Sequence, residues 1–238
     1  LFGDSITCGQ AMYGDENSIR SYIDGIYSTV LLKDVIAKNK IRDTAILEKI
    51  ILYLCDNLGN IFSAKRIADF MKSNGRQLGI ETVYNDLQFL QDALFCYKVP
   101  RYDIKGKKLL ETMEKYYIAD QGIRFRLLGY KDSAINGLLE NIVFLELIRR
   151  GYQVSIGKIG EYEIDFIAEK EGKKEYYQVC YLLSSEDVKI REYRSLMQIK
   201  DNFPKTILSL DELPDSFEEG ILRKNLRQWL LECLEKNV

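Results

Sequence analysis

Histidine is absent from all 238 residues, and with it go the usual general base of hydrolases, the Ser-His-Asp relay and any His-ligated zinc or iron. Catalysis in such a chain would have to run on carboxylates, Lys, Tyr or a carboxylate-bound metal. Cysteine is sparse: Cys8, Cys55, Cys96, Cys180 and Cys233 are scattered, odd in number and never in C-x-x-C spacing. That pattern excludes a disulfide framework and a cysteine zinc site, and the expected compartment is the reducing cytoplasm. No apolar run approaches the roughly 20 residues that span a bilayer, and the first residues do not read as a secretory leader, so no membrane partner is expected. Charge of one sign is lacking too, with 34 Lys and Arg against 36 Asp and Glu, so any nucleic-acid contact must rest on a local patch. The chain opens at Leu1 without an initiator methionine and reads as a piece of something longer.

With 46% hydrophobic residues the chain has apolar surface for one large core or two modest ones, and at least two domains are expected. Residues 18–39 place Ile19, Ile23, Ile26 and Val30 on one stripe, with Tyr22, Tyr27 and Leu31 beside it, which predicts one long amphipathic helix. A second helix starts at Asp43, a good N-cap, carries Ile46, Ile50, Ile51, Leu54 and Leu58, and stops at Gly59. A third covers residues 63–73 and a fourth residues 79–93, the latter packed by Val83, Leu87 and Leu90. The period then shortens. Residues 94–99 read as a strand that Pro100 confines to an edge or an end, residues 103–107 as a turn and residues 116–119 as the returning strand. Three helices and a β-hairpin make the winged helix-turn-helix pattern, in which residues 82–93 would face the DNA major groove.

DNA is therefore an expected partner. Lys98, Arg101, Lys105, Lys107, Lys108, Lys115, Arg124, Arg126 and Lys131 stand against only Asp103, Glu111, Glu114 and Asp120, so phosphate contacts are expected there. On the fourth helix Thr82, Tyr84, Asn85, Gln88 and Gln91 are polar or amphipathic donors, and Asn85 and Gln88 could pair with adenine. Glu81, Asp86 and Asp92 on the same helix repel phosphate. The same pattern also suits a protein-protein hinge, with the charges simply solvated.

Residues 121–136, with Arg124, Arg126, Gly129 and Asp132-Ser133, read as a short helical or turn segment that serves as a linker. Residues 137–150 then form an apolar helix, followed by three strands (152–156, 162–168, 175–182), a polar helix (186–200), a strand (206–210) and a final amphipathic helix bearing Leu222, Leu226, Trp229, Leu230 and Cys233. Helix, three strands, helix, strand is the core order of restriction-endonuclease-like domains. The expected fold class is thus α/β, α+β over the whole chain. Its parts are a helical segment at 1–42, a winged helix-turn-helix at 43–120, the linker at 121–136 and an αβββαβ domain at 137–238.

Strand alternation puts Glu161, Glu163, Asp165 and Ile167 on one face, and Tyr176, Gln178 and Cys180 on one face of the next strand. Glu140 has apolar helical neighbours and calls for compensation of its charge. Glu140, Asp165 and Gln178 together resemble the Glu, Asp and (Asp/Glu)-x-Lys set of the PD-(D/E)xK nucleases. In that family the acids hold Mg²⁺ and the Lys assists the nucleophile. Gln178 stands where the second strand acid belongs and Cys180 where the Lys belongs, so the signature is incomplete. Lys189, Arg191 or Arg194 could supply the lost charge from the following helix. The bland reading makes Glu163 and Asp165 the polar side of a half-exposed strand and Glu140 a salt-bridged core acid.

A wider resemblance covers nearly the whole chain. It is carried by Val99-Pro100-Arg101-Tyr102-Asp103-Ile104-Lys105-Gly106, Tyr116-Tyr117-Ile118-Ala119-Asp120-Gln121-Gly122, Gly137-x-x-Glu140-Asn141-x-Val143-x-x-Glu146-Leu147, Glu163-Ile164-Asp165-Phe166 and Gln178-Val179. These strings resemble the C-terminal region of a prokaryotic AAA-type ATPase family that joins a nucleotide-binding domain to a winged helix and a C-terminal domain of unknown function with a nuclease-like core. Residues 18–39 are similar to the helix closing the ATPase part, with Gly9 in the turn before it. No G-x-x-x-x-G-K-[ST] loop is present, so ATP would belong to an ATPase domain outside these residues. The resemblance implies a DNA-binding or regulatory module with an inactive nuclease-like domain that needs no cofactor. The alternatives are a Mg²⁺-dependent nuclease with Glu140 and Asp165 as ligands, or an assembly module that docks the ATPase domain, a homodimer partner or another protein.

Overall fold

A computed structural model describes residues 15–61, 63–73, 75, 78–183 and 185–232, without the side chains of Glu16, Glu111 and Thr112; Cys8, Gly9 and Cys233 lie outside these residues. The chain divides into two compact units, residues 1–98 with 116–134 and residues 99–115 with 135–238.

The first unit is helical. Helix α1 (Glu16–Thr29) is N-capped by Asp15, whose carboxylate accepts the Asn17 and Ser18 backbone N–H groups, and it continues as a π-helical stretch over Val30–Ala37. Asp43 caps α2 (Thr44–Asp56) by accepting the Ile46 N–H at 3.1 Å, as its sequence position predicts. Helices α3 (Ala64–Ser73) and α4 (Ile80–Asp92) follow, and Leu47, Ile50, Ile51, Leu54, Ile67, Met71, Val83, Leu87 and Leu90 are buried at helical spacing.

Strand β1 (Cys96–Asp103) and strand β2 (Lys108–Ile118) form the hairpin behind α4. Both strands run longer than their sequence suggests, and β1 passes through Pro100, its residues Arg101 to Asp103 pairing in parallel with Ile156 to Lys158 of strand β3 (Gln153–Ile159). Residues 99–115 of this hairpin count with the second unit. Residues 121–136 contain the short helix expected there. Helix α5 (Gln121–Leu128) belongs to the first unit and buries Gln121, Gly122, Ile123 and Arg124, because Asp120 caps it and Arg124 reaches the Cys55 carbonyl at 2.9 Å.

The second unit is built on a mixed sheet. Helix α6 (Ile135–Arg149) leads into β3 (Gln153–Ile159), β4 (Tyr162–Lys170) and β5 (Lys173–Val179), which pair as an antiparallel meander. Helix α7 (Glu186–Met197) then crosses over to β6 (Lys205–Ser209), parallel to β5. The expected order of helix, three strands, helix and strand is present. The last segment differs: residues 221–225 are strand β8 (Ile221–Asn225), paired with β6 and with the short β7 (Ser216–Glu218), and only Leu226–Leu231 is helical, as α8. Leu222 therefore belongs to an extended backbone, and Asn225 ends the strand by capping α8. The sheet order is β2-β1-β3-β4-β5-β6-β8-β7.

The centre of β4, from Ile164 to Ala168, is buried without alternation, as in a strand covered on both sides. Phe166 meets Phe144 of α6 at 6.3 Å between ring centroids, whereas Ile167 lies in a cluster with Tyr193 and Leu196 of α7. Gly157 of β3 faces Ile164 so closely that a Cβ would come within 2.8 Å of the Ile164 Cβ, so the meander packs only with glycine there. Among the described residues no helix is long and apolar enough to cross a membrane.

Candidate functional site

Asp165 sits in the middle of the buried run of β4, where a carboxylate finds no water and must find protein partners. Continuing the β4–β5 register from Phe166↔Tyr177 by one pair sets Gln178 opposite Asp165, as strand alternation predicts. The Asp165 backbone N–H donates to Gln178 Oε1 at 3.4 Å, and the Val179 N–H donates to Asp165 Oδ2 at 2.8 Å. The Ser195 hydroxyl of α7 lies 3.5 Å from the same amide oxygen. Gln178 is thus bound to backbone and hydroxyl groups beside the acid.

The group that brings the acids together was missed in the sequence. Lys115 of β2, counted there among the basic wing residues, is buried with a side chain only 2% exposed. Its ammonium lies 2.7 Å from Glu163, 3.0 Å from Glu140 and 3.6 Å from Asp165. Three donors on one nitrogen thus face three carboxylates from α6 and β4. Arg101 of β1 stands 3.9 Å from Glu163. The available signal was its setting: Lys115 directly precedes the apolar run Tyr116-Tyr117-Ile118, an unusual place for a solvated charge.

Burial disfavours the charged form of Lys115, but Glu140, Asp165 and Glu163 outweigh it and hold the ammonium well above its ordinary range. Asp165 moves the opposite way for an acid. Burial and then repulsion from Glu140 push its carboxyl well up, against the pull of Lys115 and the Val179 N–H. One fixed cation with a reluctant acid is how this cluster limits its net negative charge. Cys180, where the nuclease pattern has a lysine, is packed against Ile164, Tyr176 and Tyr193, and burial keeps its thiol protonated. Of the α7 cations expected to supply charge, Lys189 pairs with Glu218 at 2.8 Å and Arg194 is exposed, while Arg191 pairs with Glu192 at 2.7 Å and its charge still reaches Asp165 and Cys180.

The Mg²⁺ implied by the resemblance to nucleases does not fit this donor set. A divalent ion needs several oxygens at about 2.0–2.1 Å. Here an ammonium lies among the acids, and among the described residues no three Asp, Glu, His or Cys side chains are placed to share an ion.

The expected DNA-contact residues fall into separate groups. Lys105, Lys107 and Lys108 are exposed at the hairpin turn, where Asp103 is occupied in accepting the Lys105 and Gly106 N–H groups at 3.1 Å. Asn85 and Gln88 are exposed on α4, with Gln88 donating to Asp92 at 2.8 Å. Arg101 is half-buried against Glu163, and Arg124 is buried. Arg126 pairs with Asp24 at 3.0 Å and Lys131 with Asp56 at 2.8 Å. Much of the basic run is therefore neutralised within the fold.

An uncharacterised protein of Haemophilus influenzae is 35% identical over 218 residues, covering 92% of this chain and 54% of that protein. The uncharacterised protein MJ1544 of Methanocaldococcus jannaschii is 32% identical over 188 residues, covering 77% of this chain and 40% of its own length. The chain thus spans about half, or less, of the curated relatives it matches. No solved structure matches it. The family described as a domain of unknown function, DUF8612, matches residues 10–134, ending where α6 of the second unit is about to begin. With just over half of its residues matched, the chain belongs to the DUF8612 family.

Proposed function

We propose that this chain is a DNA-contacting regulatory module in which a winged helix is followed by a PD-(D/E)xK-type domain that no longer cuts. One observation carries the reading: Glu140, Asp165 and Gln178, far apart in sequence, come together through Lys115 and the β4–β5 pairing. The αβββαβ order of α6 to β6 supports the nuclease descent. The neutral Gln178 and the Lys115 ammonium lying among the acids support the loss of cutting, because a metal-activated water needs ligand charge and an open place for the metal. The three exposed lysines of the hairpin turn supply the phosphate contact. In the whole protein such a module would act with an AAA-type ATPase domain, as the sequence resemblance implies.

Band shifts with a short DNA duplex, run beside a cleavage assay in Mg²⁺ or Mn²⁺, test this. The expected result is binding at low salt that fades as salt rises, with the duplex intact. Cleavage that disappears in Asp165→Ala would replace the proposal with an active nuclease. A stable dimer that ignores DNA at low salt would replace it with an assembly module.

A further inference from the structure

We infer that Lys115 is the resident cation of the Glu140, Glu163 and Asp165 cluster, standing where a divalent ion would otherwise be required, so that this centre takes up no metal. The inference rests on the nuclease-derived reading, and it extends that reading to the identity of the ion at the centre.

The geometry comes first. The ammonium is enclosed, and each of the three acids directs an oxygen at it from 2.7 to 3.6 Å. The Glu140 and Glu163 oxygens accept hydrogen bonds from the ammonium, and Asp165 at 3.6 Å adds an ion pair. The two departures from the nuclease pattern then acquire a common cause. A metal centre of that pattern uses a second strand acid and a separate lysine. A centre filled by an amine uses neither, and an acid at position 178 would add a fourth negative charge around one buried ammonium. Gln178 instead spends its amide oxygen on the Asp165 N–H, and Cys180 joins the apolar cluster. Lys115 arrives on β2, outside the segment that carries the acids, so one strand of the hairpin completes the site.

Charge accounting agrees. Lys115 and Arg101 bring two positive charges to the cluster, against the three acids Glu140, Glu163 and Asp165. Removing the amine would leave three acids close together without their shared partner, and a buried charge stripped of its partner is strongly destabilising.

The test uses the full chain as wild type, Glu140→Gln, Lys115→Met and the double variant Lys115→Met with Glu140→Gln. Electron paramagnetic resonance of Mn²⁺ with the wild type should show free ion only. Melting temperature should fall by about 10 °C in Lys115→Met, and the double variant should recover at least half of that loss, because neutralising one acid relieves the repulsion. A lysine that acted only through its aliphatic stem would give no such recovery. Mn²⁺ uptake by the wild type that is lost in Glu140→Gln overturns the inference. So does a double variant no more stable than Lys115→Met. If Lys115→Met fails to fold while the double variant folds, the inference stands; if both fail, it is withdrawn. None of these readouts contains DNA, so the outcome is separate from the DNA-binding test.

Discussion

A buried charge must be answered by its neighbours, and Asp86 is a buried acid that is answered poorly. Asp86 of α4 is only 6% exposed, and burial, followed by the nearby Asp43, raises its carboxyl to about 6. An acid with a raised value favours the folded state while it holds its proton. Its contribution is therefore complete below the unfolded value of about 3.9 and is lost as pH rises through about 6. Asp86→Asn should melt a few degrees above wild type at pH 8, reflecting about 1–2 kcal/mol, and level with it at pH 4. Thermal melts at the two pH values check this. Equal melting at pH 8 would show that the carboxylate has better partners than burial and Asp43 imply. Lys115 shows the opposite outcome, where three acids more than repay the burial of one amine.

At the scale of elements, the hairpin has two ends with different chemistry. The turn between β1 and β2 exposes Lys105, Lys107 and Lys108, while Lys115 farther along β2 is sealed from water. Replacing the three turn lysines by Gln should flatten the dependence of log binding constant on log salt by about 2–3 units, since each phosphate contact contributes roughly 0.9. Salt-dependent band shifts would measure it, and an unchanged slope would move the phosphate contacts elsewhere. What was legible in the sequence follows the same scale. The four N-terminal helices were readable because their apolar residues repeat at helical spacing, and the Asp165–Gln178 pairing because alternation and a short turn fix the register. Strand β8 was read as helix because Leu222, Leu226 and Trp229 happen to fall at helical spacing across a strand-to-helix junction. Lys115 was counted with the surface lysines because its three partners lie 25 or more residues away, and local patterns carry no information about such contacts.

At the scale of the whole molecule, the two units do not follow a single cut in the chain. Residues 99–115 belong with 135–238, so a fragment starting at residue 135 would lack Lys115 and leave β3 without its parallel neighbour. Such a fragment is expected to be insoluble or partly folded, because it exposes a strand edge and leaves three acids without their amine. A fragment starting at residue 95 keeps both strands of the hairpin and should yield more soluble, cooperatively melting protein. Far-ultraviolet circular dichroism of the two fragments compares them, and equal folding would show that the hairpin is dispensable to the second unit.

The most direct test observes the amine itself. In a ¹⁵N-labelled sample at pH 7, a lysine ammonium fixed among carboxylates and shielded from water should give a proton-nitrogen signal that survives solvent exchange, vanishes in Lys115→Met and shifts in Glu140→Gln. A sample with no protected ammonium signal assignable to Lys115 would contradict the account of a charged lysine held at the carboxylate centre.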